Sequence, residues 1–188
     1  MKLNSIISMG VVACAALFAA QTQAEGWYVG ADAGRSSTGT VYPGLNMTKS
    51  TDTVGGVFLG YQFNQNWGVE GFYSGAGKFS AASGATSVTG KTDVYGLDLT
   101  GTLPLADAFS LYGRLGYANA KTSASSSPAS YTGSNRSAAT YGLGGEYDVT
   151  PQVGVRLGWD RYGAAVSNVG VTNNFNINVW SVGILYKF

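Results

Sequence analysis

The sequence predicts an all-β fold, an eight-stranded antiparallel up-and-down transmembrane β-barrel with four long extracellular loops and three short periplasmic turns. Three observations support this prediction. Apolar and polar residues alternate with period two in segments of about ten residues, the length that a tilted strand needs to cross a bilayer. The connections between these segments alternate between short and long. No window of the mature chain shows a convincing helical period.

The N-terminus predicts export. Lys2 precedes an apolar stretch over residues 6–20, and Ala24 stands at a suitable cleavage position. This pattern is typical of a signal peptide, and an apolar stretch of about 15 residues is too short to cross a bilayer comfortably as a helix. We therefore expect residues 1–24 to be cleaved, leaving a barrel domain over residues 25–188. The alternatives are a retained anchor and a lipoprotein with Cys14 as the lipid acceptor.

The predicted strands follow in order along the mature chain. They cover residues 27–35, 53–63, 67–75, 93–103, 109–121, 139–149, 152–162 and 176–188. Three links are tight, and four are long and rich in Ser, Thr, Gly and Asn; the long ones lie near residues 36–52, 76–92, 122–138 and 163–175. Outer-membrane barrels have this asymmetry, with short periplasmic turns and long extracellular loops. An even number of strands then places both termini in the periplasm.

The two faces of the predicted strands differ in chemistry. One face carries bulky apolar side chains such as Leu97 and Leu157, and the other carries glycines and charges such as Glu70 and Arg156. An eight-stranded barrel has an interior just wide enough for side chains to fill. The large apolar set must therefore point outward, and lipid is the solvent that suits a continuous apolar belt.

Aromatic residues fall near both ends of the segments, as two girdles at the membrane interfaces require. The predicted interface residues are Trp27, Trp67, Tyr95, Tyr117, Tyr141, Trp159 and Trp180.

Charges on the inward face predict a salt-bridge network across a narrow lumen, because unpaired charges are costly at low dielectric. The expected members are Glu70, Glu146, Arg156, Arg114, Asp98, Asp32 and Lys187, with Asp160 beside them. The network is interpreted either as a structural plug or as an ion gate in which Arg156 switches between Glu70 and Glu146.

Composition narrows the classes of function. Of the 188 residues, none is histidine and only 11% are charged, with 11 basic against 10 acidic side chains. The near-neutral balance argues against a nucleic-acid binder. The missing histidine removes the commonest general base and the commonest metal ligand. We therefore expect a non-enzyme with no catalytic residue, no metal and no cofactor.

Short motifs, taken in order, resemble the transmembrane domain of the outer membrane protein A family. They are GYQFN at 60–64, GVEGFY at 68–73, LYGRLG at 111–116, GEYDVTP at 145–151, VRL at 155–157 and SVGILYKF at 181–188. The resemblance covers residues 26–188. It does not extend to that family's peptidoglycan-binding domain, so the chain looks more like the small barrel-only members, typified by outer membrane protein X.

The resemblance implies roles for particular residues. A lumenal gating cluster of that family matches Glu70, Glu146 and Arg156. Thr102 stands where the family has a lysine, and Arg114 or Lys187 could compensate for it. The end of the chain, with Tyr186 and the terminal Phe188, is similar to the signal read by the outer-membrane barrel assembly machinery.

These observations lead us to expect a monomeric structural protein of the bacterial outer membrane that displays its loops at the cell surface. Its expected partners are outer-membrane lipid and lipopolysaccharide, the assembly machinery during biogenesis, and host or surface ligands at the loops. A narrow, gated, low-conductance channel is the first alternative. A soluble lipocalin-like carrier and an outer-membrane enzyme acting on lipid or peptide are the others.

Overall fold

The computed structural model describes residues 25–39, 46–83, 86–127, 131–168 and 171–188. Nearly all of these residues lie in strands. In chain order the strands are β1 (Gly26–Thr38), β2 (Asn46–Lys49), β3 (Thr51–Gln62), β4 (Trp67–Ser83), β5 (Thr86–Ala106), β6 (Phe109–Ser127), β7 (Tyr131–Gly133), β8 (Asn135–Asp148), β9 (Val153–Asn168) and β10 (Val171–Lys187). The predicted signal peptide at 1–24 lies outside the described residues. Within the described ranges no helix is long and apolar enough to cross a membrane.

Eight long strands close into an antiparallel barrel. They are β1, β3, β4, β5, β6, β8, β9 and β10, each paired with its neighbours along the chain, and β10 closes the barrel against β1. The two short strands extend two of the long ones. β2 precedes β3 and pairs with β4, whereas β7 precedes β8 and pairs with β9. The predicted up-and-down eight-stranded fold class is confirmed.

The barrel wall extends well beyond the segments that the alternation marked. β5 begins at Thr86 rather than near residue 93, and β6 runs on to Ser127 through part of the low-complexity stretch. Residues 76–92, expected as a loop, form a paired hairpin of β4 and β5 except for residues 84 and 85, which are not described. We call the end of the barrel that these hairpins build the extended end, and the opposite end the short-turn end.

The polarity of the strands is reversed at the extended end, and for this reason the alternation pattern predicts a loop there. In the membrane-spanning part the apolar residues face outward, whereas at the extended end Val88 and Val94 are buried inside and Thr89 and Lys91 are exposed. This is the polarity of a strand with one face in water. The prediction of long Ser- and Thr-rich loops was therefore wrong for residues 76–83, 86–92 and 122–127, which lie in strands.

A bulge in β4 contributes to this reversal. Gly75 pairs with Asp93 and Gly77 pairs with Thr92, so the residue between the two glycines is an extra one. Gly77 has a φ of 101°, a conformation that a residue with a Cβ adopts only at a cost. Because one extra residue exchanges the two faces of a strand, Phe79 beyond the bulge points inward.

Side-chain orientation in the spanning part follows the volume argument. Leu97 and Leu157 on the outer surface are 65% and 60% exposed, whereas Glu70 inside the barrel is 0% exposed. The outer surface is therefore an apolar belt, and the ionic side chains converge on the barrel axis.

Candidate functional site: a chain of ion pairs inside the barrel

Seven charged side chains form one continuous chain of ion pairs inside the barrel. From the middle of the barrel toward the short-turn end, its members are Asp160, Arg114, Glu70, Arg156, Glu146, Lys187 and Asp148. Negative and positive charges alternate along it, so each cation lies between two carboxylates. The members come from β4, β6, β8, β9 and β10. The ion-pair chain therefore ties strands together across the lumen, which the hydrogen bonds within the sheet do not do.

Glu70 is the centre of the ion-pair chain. Its Oε1 accepts a hydrogen bond from Arg114 Nη1 at 2.8 Å. Its Oε2 accepts one from Arg156 Nη1 at 2.7 Å and one from the Tyr28 hydroxyl at 3.0 Å. Gly60 is the cross-strand partner of Glu70, and a Cβ there would overlap the Tyr28 ring. The glycine thus leaves room for the partner that satisfies the buried carboxylate.

Arg156 bridges two carboxylates at once. Its Nε lies 2.7 Å from Glu146 Oε2, while its Nη1 contacts Glu70. Three aromatic rings surround the guanidinium group, with centroids 4.9 to 5.1 Å from its central carbon; they belong to Tyr112, Tyr28 and Phe58. Arginine stacks well on aromatic faces. Arg156 is therefore held from several sides and contacts both carboxylates of the switch hypothesis at the same time.

Arg114 and Asp160 form the end of the ion-pair chain that lies in the middle of the barrel. The pair is bidentate: Arg114 Nε donates to Asp160 Oδ1 at 2.6 Å, and Nη2 donates to Oδ2. A bidentate pair fixes the orientation of both groups. A Cβ at Gly142 would run into the Asp160 carboxylate, so this glycine also makes space for the pair.

Lys187 lies at the open end of the ion-pair chain. Its Nζ is 2.7 Å from Glu146 Oε1 and 2.6 Å from Asp148 Oδ1. It borders a cavity of about 390 Å³ at the short-turn end, whose lining also includes Gln62 and Gln152. The lumen is therefore accessible from this end as far as Arg156, which forms part of the same lining.

Two of the seven predicted network residues stand beside the ion-pair chain rather than in it. Asp98 is buried and accepts a hydrogen bond of 2.7 Å from the Thr140 hydroxyl. Asp32 lies on the inward face of β1, next to Gly56. Neither carboxylate forms an ion pair with a described residue. The structure brings together Glu70, Glu146, Arg156, Arg114 and Lys187 with the expected Asp160, and it adds Asp148.

The carboxylates that match the family's gating cluster have cationic partners, although the lysine of that cluster is absent from this chain. Thr102, which stands at the lysine position, lines the short-turn cavity. Arg114 contacts Glu70, and Lys187 contacts Glu146. Over the described part of the chain, no group of three or more Asp, Glu, Cys or His side chains is arranged to hold a metal ion.

Sequence reasoning missed an apolar layer beyond the ion-pair chain, toward the extended end. This apolar cluster includes Val54, Phe72, Ala76, Phe79, Val88, Val94, Ala118, Ala120, Tyr162, Ala164, Phe175, Ile177 and Val179. The Phe79 and Phe175 rings pack edge to face with centroids 5.6 Å apart. An ion entering this layer would lose its polar partners, at a cost of several kcal/mol. Val88 and Val94 fall on the inward-facing positions of the period-two alternation in β5, and this pattern could have predicted that the strand and its apolar inner face continue there.

The predicted interface aromatics lie on the outer surface. Trp27, Trp67, Tyr95, Tyr117, Tyr141 and Trp180 are exposed. Trp159 is half-buried and packs against Tyr141, with ring centroids 5.9 Å apart. At the end of the chain, the Tyr186 and Phe188 rings lie 5.2 Å apart, and the Phe188 N–H donates to the Trp27 carbonyl at 3.0 Å.

Solved structures similar to this chain are outer-membrane barrels. OprG from Pseudomonas aeruginosa is 18% identical, over 89% of this chain and 99% of that one, with a TM-score of 0.56. Neisserial surface protein A is 20% identical, over 88% and 99%, with a TM-score of 0.56. Ail of Yersinia pestis, in complex with the heparin analogue sucrose octasulfate, is 16% identical, over 87% and 99%, with a TM-score of 0.52. These identities show the fold alone.

Comparison at the level of sequence families is more specific. No curated protein matches the chain. Residues 7–188 match the model of the outer membrane protein beta-barrel domain, which is nearly the whole sequence. The protein therefore belongs to this family of outer membrane β-barrels.

Proposed function

We propose that this outer-membrane barrel is a non-enzymatic structural protein with a closed lumen, which stabilises the membrane and displays its extended end at the cell surface. The observation that carries the proposal is the succession of layers along the axis. A polar solute entering the short-turn cavity meets the ion-pair chain first and the apolar cluster next. Hydrophobic constrictions gate channels by dewetting, so an apolar layer across the lumen opposes conduction.

The construction of the extended end supports display. β5 and β6 pair without interruption from Ser87↔Ser127 to Leu103↔Leu111. The start of β5 lies about nine residues beyond the interface residue Tyr95, or about 30 Å along the strand. Loops on such a scaffold are held away from the membrane, where binding residues are commonly found. A surface ligand is the class of partner that we propose for them, and the Ail complex with a heparin analogue is in keeping with it.

We infer that the termini lie in the periplasm and that residues 1–24 are removed on export. Gly26 and Phe188 are both at the short-turn end, the periplasmic end in barrels of this type. Tyr186 and Phe188 would present the assembly signal to the barrel assembly machinery. Outer-membrane lipid covers the apolar belt. The barrel closes on itself through β10 and β1, which favours a monomer.

The first alternative is a narrow gated channel, and the cavity that opens the lumen as far as Arg156 favours it. The simultaneous contacts of Arg156 with Glu70 and Glu146, and the apolar cluster beyond them, weigh against it. A soluble carrier would not present exposed leucines such as Leu97 over its outer surface.

Planar-bilayer recording tests the closed lumen. We expect no reproducible single-channel steps from the wild-type protein. Steps in the wild type that change in Arg156→Ala would overturn the proposal. Arg35→Ala is the matched control, because Arg35 is exposed on the outer surface and its loss leaves the lumen intact. Heat-modifiable migration on a gel verifies that each variant is a folded barrel.

A further inference from the structure

Three lysines on the outer surface of the extended end form a cationic patch, which we define as Lys78, Lys91 and Lys121. All three are exposed. Lys78 and Lys91 are direct cross-strand partners on β4 and β5. Lys121 on β6 is the partner of Asp93, two residues from Lys91 along β5. Asp93 forms an ion pair of 3.0 Å with Lys91. Three ammonium groups and this carboxylate leave a net charge of +2.

The facing lysines are unfavourable in isolation. Like charges directly opposite on neighbouring strands destabilise a sheet. The bulge at Gly77 creates the juxtaposition, because it turns Lys78 outward toward Lys91. Asp52 accepts the backbone N–H of Lys78 at 2.9 Å, which fixes the strand at this register. An anion bound from outside would relieve the repulsion.

The cationic patch lies just beyond the outer aromatic girdle. Lys91 precedes Tyr95 by four positions on the same face of β5, and Lys121 follows Tyr117 by four positions on β6. This spacing is about 14 Å along a strand, or about 10 Å along the membrane normal at the usual strand tilt. Tyrosines of this kind mark the headgroup level, and long lysine side chains can bend back toward it. The ammonium groups are therefore within reach of lipid phosphates.

Exposed charges differ in sign between the two ends of the described chain. The outer surface of the extended end carries Arg35, Lys78, Lys91, Lys121 and Arg161 with Asp93. The short-turn end carries the exposed acids Glu25 and Asp107, which border the short-turn cavity. The cations are thus confined to the end that the proposed orientation places in the outer leaflet.

We propose that the cationic patch binds phosphate groups of the phosphorylated glycolipid of the outer leaflet, lipopolysaccharide. This inference rests on the proposed orientation of the barrel. Lysine ammonium groups bind phosphate as point charges. Hydroxyl side chains flank the patch: Ser123 is the cross-strand partner of Lys91, and Ser125 is that of Thr89. They supply donors for phosphate oxygens and for the adjoining sugars.

Binding of lipopolysaccharide to the full-length barrel in phosphatidylcholine vesicles tests the proposal. We compare the wild type with the triple variant Lys78→Gln, Lys91→Gln and Lys121→Gln. Each positive charge near an anionic lipid surface contributes about fivefold in affinity, so loss of the three ammonium groups, which changes the charge of the patch from +2 to −1, should weaken binding about 125-fold. The matched control replaces the same residues by Arg and should stay within about twofold of wild type. Dephosphorylated lipopolysaccharide should bind wild type and glutamine variant alike.

Two results would overturn the inference. One is equal affinity of the wild type and the glutamine variant for lipopolysaccharide. The other is patch-dependent binding of soluble sucrose octasulfate without patch-dependent binding of the lipid, which would assign the lysines to a glycan from solution. Bilayer recording on the same variants distinguishes failure of this inference from failure of the proposed function. If the recordings show no channel steps and the glutamine variant binds lipopolysaccharide as well as the wild type does, only the cationic patch is refuted. If channel steps occur and binding depends on the lysines, only the closed lumen is refuted.

Discussion

Replacement of Glu70 by glutamine should destabilise the barrel strongly although it hardly changes the volume of the side chain. The carboxylate is fully buried and receives hydrogen bonds from Arg114, Arg156 and Tyr28. Removing one partner of a buried ion pair typically costs about 3–5 kcal/mol, because the other charge remains buried. Arg114 keeps Asp160 and Arg156 keeps Glu146, so we expect about 3 kcal/mol, the lower end of that range.

Asp98→Asn is the matched control for this prediction. It makes the same chemical change inside the same barrel, but Asp98 has a hydroxyl partner, Thr140, and no ion pair with a described residue. The asparagine oxygen can still accept the Thr140 hydrogen bond. We expect the free energy of unfolding to change by no more than about 1 kcal/mol.

Urea unfolding in lipid vesicles measures both variants. The four tryptophans lie toward the outer surface, so their fluorescence reports departure from lipid, and gel mobility verifies the folded starting state. Equal losses in Glu70→Gln and Asp98→Asn would refute the reasoning, because the difference between them isolates the cation contacts. A Glu70→Gln barrel as stable as wild type would show that the ion-pair chain contributes no net stability.

Two further predictions test the orientation and the bulge. Leu99→Arg, on the lipid face of β5, should lower the free energy of unfolding by about 2–4 kcal/mol. Thr89→Arg, exposed at the extended end of the same strand, should change it by less than about 0.5 kcal/mol. Equal effects in vesicle unfolding would contradict the assigned faces. Gly77→Ala should cost at least about 1–2 kcal/mol, because alanine resists a positive φ and its Cβ would collide with a neighbouring side chain. At Gly75 the nearest atom to an added Cβ is 3.7 Å away, so Gly75→Ala serves as the control, and a loss as large as that at Gly77 would argue against the bulge.

The spanning part of the barrel was predictable because its determinants are local. Period-two alternation assigns each residue to a face, and the volume of an eight-stranded lumen then decides which face is outside. The same phase marks Tyr28, Phe58 and Tyr112 as inward, so the aromatic residues around Arg156 could have been found. At the extended end, polar residues face outward in water and the apolar set is small, so composition resembled a loop.

The pairing inside the lumen could not be predicted from the faces. Asp98 and Glu70 both point inward and are direct cross-strand partners, yet Glu70 contacts two arginines and Asp98 contacts a threonine. Which cation contacts which carboxylate depends on the length of each side chain and on which side chains reach across the lumen from the opposite strands.

The sequence by itself determined the family, the barrel and the inward direction of the charges. Short motifs in a fixed order identify the family, and period-two alternation assigns each side chain of a strand to one face. The tertiary structure alone decided the ion-pair partners, the apolar cluster beyond them and the facing positions of Lys78 and Lys91. All of these depend on strand register, which brings residues far apart in the chain together in the barrel, and the facing lysines depend on the bulge at Gly77 as well.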